Sequence, residues 1–470
     1  MPAARARRVS SGENPVTAPP ALVVAAPASG CGKTTVATGL IGALRRAGHR
    51  VAPFKVGPDF IDPGYHGLAA GRPGRNLDSV LVGEELIAPL YRHGATGADL
   101  AVVEGVMGLF DGRIDAQRTG PASGSTAQIA ALLGAPVVLV VDARGQSQSL
   151  AALLHGFTTF DRATRVAGVI LNRVGSARHE QVLRGACEQA GVPVFGAIPR
   201  TPRLQVPSRH LGLVTAAEHG RAAEEAVAAM ADVVHDHVDV AALAACAASR
   251  VDAQPWDPQE AVGSPVTRPV TVALAAGAVF SFGYAEHREL LAAAGADVVP
   301  FDPLVDTLPP TAAALVLPGG FPEEHTAALG ENTALRHQIA ALAARAPVHA
   351  ECAGLTYLAA ELDGTPMCGV LTATARFTDT LTLGYRDAVA ATDSVSHRAG
   401  ERVTGHEFHR TAISFTDTPQ PAWMYRGAGQ AVVHDGVAGN LLHAAYLHTH
   451  PAAHPQAVAR FVAHADMLSR

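Results

Sequence analysis

The chain has 470 residues, 48% of them hydrophobic and 17% charged, which is enough to bury two or three domain cores. A net charge of −6 argues against a dominant nucleic-acid footprint, and no apolar run reaches the roughly 18–20 residues that span a bilayer. Five cysteines without a close pair exclude a disulfide scaffold and a zinc ribbon; with no secretory signal at the start, the expected compartment is a reducing cytoplasm.

Residues 1–20 are polar and proline-rich and read as a disordered tail. From residue 21 a β-branched run leads into a glycine-rich turn and a helical pattern over 33–47. Continuous apolar runs at 51–55, 100–104, 136–142, 166–171 and 194–198 alternate with helical segments. Such runs read as strands covered on both faces, hence a parallel α/β sheet. Residues 216–250 are alanine-rich with helical spacing, and 251–268, rich in Pro, Asp and Gly, read as a linker. A second α/β series follows at 270–276, 296–300, 313–317 and 346–350. The expected division is a tail (1–20), a first α/β domain (21–215), a helix and linker (216–268) and a second α/β domain (269–470).

The turn after the first run reads Gly30-Cys31-Gly32-Lys33-Thr34-Thr35. Glycines let successive N–H groups cradle a phosphate at a helix N-terminus. Lys33 is then placed to reach the β- and γ-phosphates of ATP and Thr34 to hold Mg²⁺, with Gly30, Gly32 and Thr35 completing the loop. Pro27 stands where the usual spacing has glycine. A metal-bound nucleotide also needs carboxylates from other strand ends. Glu104, which ends the run 100–104, and Asp59 are the metal candidates, with Asp62 facing the substrate and Asp111 a further acid. Asn172, just past the run 166–171, is a candidate for the adenine.

In the second unit, His349-Ala-Glu351-Cys352-Ala353-Gly354 reads as strand, sharp turn and helix. That arrangement lifts Cys352 above the sheet at a helix N-terminus, where the thiol pKa is expected to fall and the Ala353 N–H to face an oxyanion. Gly319 and Gly320 upstream offer further backbone N–H donors. The thiol needs an imidazole partner, and His443, His448 and His450 are at hand.

These motifs together resemble the a,c-diamide synthases of corrin biosynthesis, acting on cobyrinate or hydrogenobyrinate. The likeness spans about 21–465. Its most specific pieces are Lys55-Val-Gly-Pro-Asp-Phe-Ile-Asp-Pro-Gly-Tyr-His66, Glu104-Gly-Val-Met-Gly-Leu-Phe-Asp-Gly112, Arg209-His-Leu-Gly-Leu213, Pro318-Gly-Gly-Phe-Pro-Glu323, Glu351-Cys352, Gly405-His-Glu-Phe-His409 and Tyr446-Leu-His448. The resemblance implies a P-loop, dethiobiotin-synthetase-like domain joined to a class I glutamine amidotransferase domain. It implies that Cys352 attacks glutamine, that His448 activates the thiol, and that Asp59, Asp62 and Glu104 serve the metal and substrate activation. ATP would phosphorylate a corrin carboxylate and ammonia would displace the phosphate, once at each of the a and c acetates. Arg72, Arg75, Arg200 and Arg209 are candidates for holding a polycarboxylate. Small molecules are the expected partners, with no nucleic acid and no membrane; a homodimer is left open. Ala353 stands where the family often has glycine, and His450 where many class I amidotransferases have glutamate, so the third member of the thiol site is unassigned, with His409 one candidate. Cobyric acid synthase and nickel-sirohydrochlorin a,c-diamide synthase are the nearest alternatives. A P-loop sensing or partitioning ATPase with an inactive amidotransferase module, or a histidine-rich metal chaperone or chelatase, would be a different class.

Overall fold

The computed structural model describes residues 18–114, 119–201, 208–209 and 212–469. The expected tail therefore lies, up to residue 17, outside the described residues. The first unit is a seven-stranded parallel sheet of β1 (Ala21–Ala25), β2 (Val51–Val56), β3 (Arg75–Leu77), β4 (Leu100–Glu104), β5 (Val137–Asp142), β6 (Val166–Val174) and β7 (Val194–Pro199). Their order is β3-β2-β4-β1-β5-β6-β7. The central strands are buried from end to end, which is why the sequence shows unbroken apolar runs there rather than alternation. The chain leaves β1 toward β2 on one side and later adds β5 on the other. That reversal opens a crevice at the carboxyl ends of β1 and β4, the usual ligand position in such sheets.

The alanine-rich segment and the presumed linker are structural parts of this unit. Helix Arg221–His237 packs on helix Lys33–Arg46 so closely that a Cβ on Gly39 would sit 2.5 Å from the Met230 carbonyl oxygen. Ala248 exchanges backbone hydrogen bonds with Ala21 at the start of β1. The stretch 251–268, expected as a linker, is pinned down. Trp256 is buried, stands edge-on to His93 and donates its backbone N–H to Pro89, and a short helix forms over Pro258–Val262. Loop-like composition was outweighed here by one aromatic anchor.

After a two-strand ladder, β8 (Ser208–Arg209) with β9 (Gly212–Leu213), the second unit begins. Its strands are β10 (Val270–Ala275), β11 (Ala296–Phe301), β12 (Ala314–Leu317), β13 (Val348–Glu351), β14 (Glu361–Leu362), β15 (Thr365–Pro366), β16 (Ala373–Ala390), β17 (Arg402–Phe415), β18 (Trp423–Arg426), β19 (Val432–Asp435), β20 (Val437–Gly439), β21 (Leu442–Ala445) and β22 (His448–Thr449). One sheet runs β11-β10-β12-β13-β21-β20, parallel except at β20. The other is built on the long antiparallel pair β16–β17, with β22 on its β17 edge. Among the described residues all five cysteines are free, and no helix is long and apolar enough to cross a membrane.

Candidate active site

The phosphate loop is shaped by its glycines. Gly30 and Gly32 have φ of 78° and 93°, a region that residues with a Cβ rarely enter. A Cβ on Gly32 would lie 2.3 Å from the Asn172 amide nitrogen. Asn172 is buried beneath the loop, where its amide donates to the Cys31 carbonyl (2.9 Å) and its oxygen accepts from the Arg173 N–H. Asn172, expected at the adenine, thus braces the loop. Lys33 is buried, with Nζ bonded to the carbonyl oxygens of Met107 and Ala28. Burial lowers its pKa, and the charge of Lys55 lowers it further. Thr34 and Thr35 open helix Lys33–Arg46, both half-buried.

An acidic cluster faces Thr34. Its hydroxyl donates to Glu104 Oε1 (2.7 Å) and Asp62 Oδ2 (3.2 Å). Lys55, buried in β2, donates to Asp62 (2.6 Å), Glu104 (2.9 Å) and the Gly105 carbonyl (3.2 Å). His66 Nε2 lies 2.7 Å from Glu104 Oε2. Burial pushes the Glu104 carboxyl up, but Lys55 and His66 outweigh this and hold it near 2. Asp59, expected at the metal, instead turns Oδ1 back onto the N–H groups of Ile61 and Asp62. It shapes the turn that delivers Asp62 to the cluster. Asp111 similarly caps its own loop by accepting from Gly108 N–H (3.0 Å).

The arginines divide. Arg75 is engaged by Glu286 and Glu289 of the second unit, so it joins the two units rather than serving a substrate. Arg72 donates to the carbonyls of Gly94 and Thr96. Arg200 is exposed at the end of β7. Arg209 has a described backbone in β8, but its side chain lies outside the described residues.

In the second unit, β13 ends at Glu351 and the helix Ala353–Leu358 starts two residues later. Between them Cys352 has φ 49° and ψ −100°, a strained turn costing about 1–3 kcal/mol. The turn tolerates no bulk behind it, since a Cβ on Gly354 would lie 2.2 Å from the Leu317 carbonyl oxygen. Backbone N–H groups of Ala353 and Gly320 point at the sulfur. The thiol pKa, expected to fall at the helix N-terminus, is in fact pushed up. Burial is the main cause and the Glu323 carboxylate adds to it, outweighing those two N–H groups. Glu323 is itself pushed up to about 7 by burial. Gly320, Glu323, Cys352, Phe408, His409 and Arg410 line a small pocket at the thiol.

Gly319, expected as an oxyanion donor, makes room for the imidazole instead. A Cβ there would lie 2.4 Å from His448 Cε1, and its carbonyl accepts from Phe282 N–H. His448 is fully buried on β22 and neither of its ring nitrogens has a hydrogen-bond partner among the described residues. Its Nδ1 lies 3.4 Å from Glu351 Oε2. Asp435, which the sequence did not single out, accepts from the N–H groups of Tyr446 and Leu447 (3.0 Å each) and so fixes the strand carrying His448. His409 bonds Thr411 and stacks on Tyr446, while His450 packs on Tyr284. Phe60, from the same loop as Asp59 and Asp62, reaches across from the first unit. Its ring stacks on Phe282 (5.1 Å, 9°) and lies 5.1 Å from the His448 ring.

Comparison with known proteins agrees with this two-part arrangement. Residues 22–214 match the CobQ/CobB/MinD/ParA nucleotide binding domain, and residues 271–456 match the CobB/CobQ-like glutamine amidotransferase domain. The hydrogenobyrinate a,c-diamide synthase of Mycobacterium tuberculosis (strain ATCC 25618 / H37Rv) is 69% identical over 95% of this chain and 98% of its own length. The protein of the same name from Streptomyces coelicolor is 53% identical, over 95% and 97%. A cobyrinate a,c-diamide synthase from Syntrophotalea carbinolica is 42% identical, over 94% and 98%. The chain is a glutamine-dependent, amide-forming ligase and belongs to the hydrogenobyrinate and cobyrinate a,c-diamide synthase family.

Proposed function

We propose that this enzyme converts the a and c acetate carboxylates of hydrogenobyrinate to amides, with ATP as activator and glutamine as nitrogen source. The name carried by the relatives at 53–69% identity supports hydrogenobyrinate over the cobalt-bearing cobyrinate. The observation that carries the coupled chemistry is the loop 57–62. Phe60 touches His448, and Asp62, two residues on, bonds Thr34 at the phosphate loop. Two residues of backbone span at most about 7 Å. One short loop therefore touches both centres.

At the thiol, the Cys352 proton passes to His448 Nε2 and the sulfur attacks the glutamine amide carbon. The N–H groups of Gly320 and Ala353 hold the oxyanion. Ammonia leaves with the proton from His448, and water then cleaves the thioester to glutamate and free thiol. At the nucleotide, a corrin carboxylate attacks the γ-phosphorus and ADP leaves. Ammonia displaces phosphate from the acyl phosphate to give the amide. A carboxylate is a poor electrophile, which is why nucleotide energy is needed. Ammonia in bulk water at pH 7 is mostly ammonium, so release beside the acceptor favours reaction. Lys33 neutralises the phosphates.

The oxygens of Thr34, Asp62 and Glu104 converge where an ammonium, that of Lys55, already bridges the two acids. This hard, anionic donor set fits Mg²⁺. Thr34, Asp62 and Glu104 would hold the ion, with Asp59 shaping the turn behind, and the ion would supply charge neutralisation at the phosphate oxygens. The test is a product-mass assay with ATP and glutamine, hydrogenobyrinate and cobyrinate in parallel. Two successive carboxylate-to-amide conversions of hydrogenobyrinate are expected; no amidation of either corrinoid would overturn the reading.

A further inference from the structure

Class I glutamine chemistry needs an imidazole held in one orientation, and the residue two after His448, where a carboxylate often does this, is His450. That ring is turned away, packed at 4.3 Å on Tyr284, with its Nδ1 accepting from Ala452 N–H. Glu407, the nearby acid of β17, is engaged by Arg386 and Tyr425. We infer that Glu351, the residue directly before the nucleophile, orients the His448 imidazole, a positioning role that rests on the reading of His448 as the base.

Three observations carry this. Glu351 Oε2 lies 3.4 Å from His448 Nδ1, and among the described residues no other carboxylate is within ion-pair distance of that ring. Its other oxygen, Oε1, is fixed independently: it accepts from the Thr449 N–H (3.4 Å) and lies 3.4 Å from His349 Nε2. The backbone at both ends is rigid, because Glu351 pairs with Ala445 in the sheet and His448 pairs with His406 in the neighbouring one. A carboxylate acceptor at Nδ1 selects the tautomer with its proton there. Among the described residues both ring nitrogens are free of hydrogen bonds, and Nδ1 is the one with the carboxylate beside it, so Nε2 is left with a lone pair for the thiol proton. The 3.4 Å spacing is one that substrate binding would tighten into a hydrogen bond. Burial pushes the Glu351 carboxyl up, but His349 and His448 outweigh it and hold the group ionised. His287, His349, His443 and Tyr284 are the other titratable groups that face Glu351, and His406 faces His448.

The test compares full-length wild type, Glu351→Gln, Glu351→Asp and His448→Gln in steady-state glutamine hydrolysis across pH 6–9 and in ammonium-dependent amidation. Glu351→Gln keeps the volume and removes the charge. It is expected to lower kcat for glutamine on the order of 10²–10⁴-fold with KM within about threefold. Its pH–rate profile should move, because a bare imidazolium is less stable. Glu351→Asp should recover part of the loss, and ammonium-dependent amidation should persist in both variants. If His448→Gln is inactive with glutamine while Glu351→Gln matches wild type in kcat and pH profile, the inference falls and the base reading stands. If His448→Gln matches wild type, the base reading itself falls. Loss of ammonium-dependent amidation in both Glu351 variants would mark Glu351 as a structural residue and overturn the inference.

Discussion

Two lysines approach one acidic pair, and their roles differ. Lys55 is bound by Asp62 and Glu104; burial lowers its pKa, but the two acids outweigh burial and keep it charged. Lys33 has carbonyl hydrogen-bond partners and feels Glu104 and Asp62 only through space, which leaves it the lysine free to meet an anion. Lys33→Ala should therefore depress amidation from either nitrogen source on the order of 10²-fold or more, read as product mass, while glutamine hydrolysis survives. Undiminished ATP-dependent synthesis in that variant would remove the phosphate loop from the mechanism. Lys33, Thr34, Glu104, Cys352 and His448 stand out in the sequence because each sits in a motif of distinctive spacing. Lys55 left a weaker signal: a charge inside an otherwise apolar strand, which demands a buried counter-charge. Asp59 and Asn172 also brace their own loops, which their positions in the sequence did not announce. A carboxylate or amide at a strand end serves equally well as a turn brace, and only coordinates show which hydrogen bonds it makes. Asp435 and Glu351 act through residues distant in sequence, so spacing could not reveal them.

At the scale of elements, the parallel strands were readable because burial on both faces leaves unbroken apolar runs. The pair β16–β17 was not. Its residues are mixed polar and apolar on both faces, with Thr, Arg and Asp through β16, so no period of two stands out. Yet this pair bridges the units: Tyr385 donates to Asp78 (2.9 Å), and Asp387 pairs with Arg113. The other bridge is Arg75 with Glu286 and Glu289, supported by His93 at 2.8 Å from Glu289. Burial pushes the Glu289 carboxyl up, but His93 and Arg75 outweigh it and bring it from the ordinary 4.5 to about 2. A carboxyl depressed in the folded state stabilises above about pH 4.5 and loses that contribution as pH falls toward 2. Denaturant melts between pH 5 and pH 3 should therefore show falling stability, by at most about 2 kcal/mol from this site. Arg75→Gln should flatten that slope; an unchanged slope would exclude the bridge as its source.

At the scale of the molecule, the two units meet where their chemistry must connect. Phe60 is buried against Phe282, Tyr284 and His448, all from the second unit, while its own loop ends at Asp62 by the phosphate loop. Beside it lies a cavity between the units, lined by Phe60, Phe282, Tyr284, His287, His349 and Glu351. Burial lowers the His287 pKa to about 4, so it is neutral at pH 7. Phe60→Ala should loosen this contact and waste nitrogen. Glutamate formed per amide made should rise above the wild-type ratio, while ammonium-dependent amidation persists; an unchanged ratio would deny Phe60 a part in the coupling. The order of motifs announced both units, but the interface rests on an aromatic whose partner is more than 200 residues away. The most direct measurement follows amide-¹⁵N glutamine, and separately ¹⁵N-ammonium, into the corrin product of wild type and Cys352→Ala. The wild type should incorporate label from both sources and Cys352→Ala from ammonium alone; loss of both incorporations together would contradict two separate chemistries joined by one nitrogen.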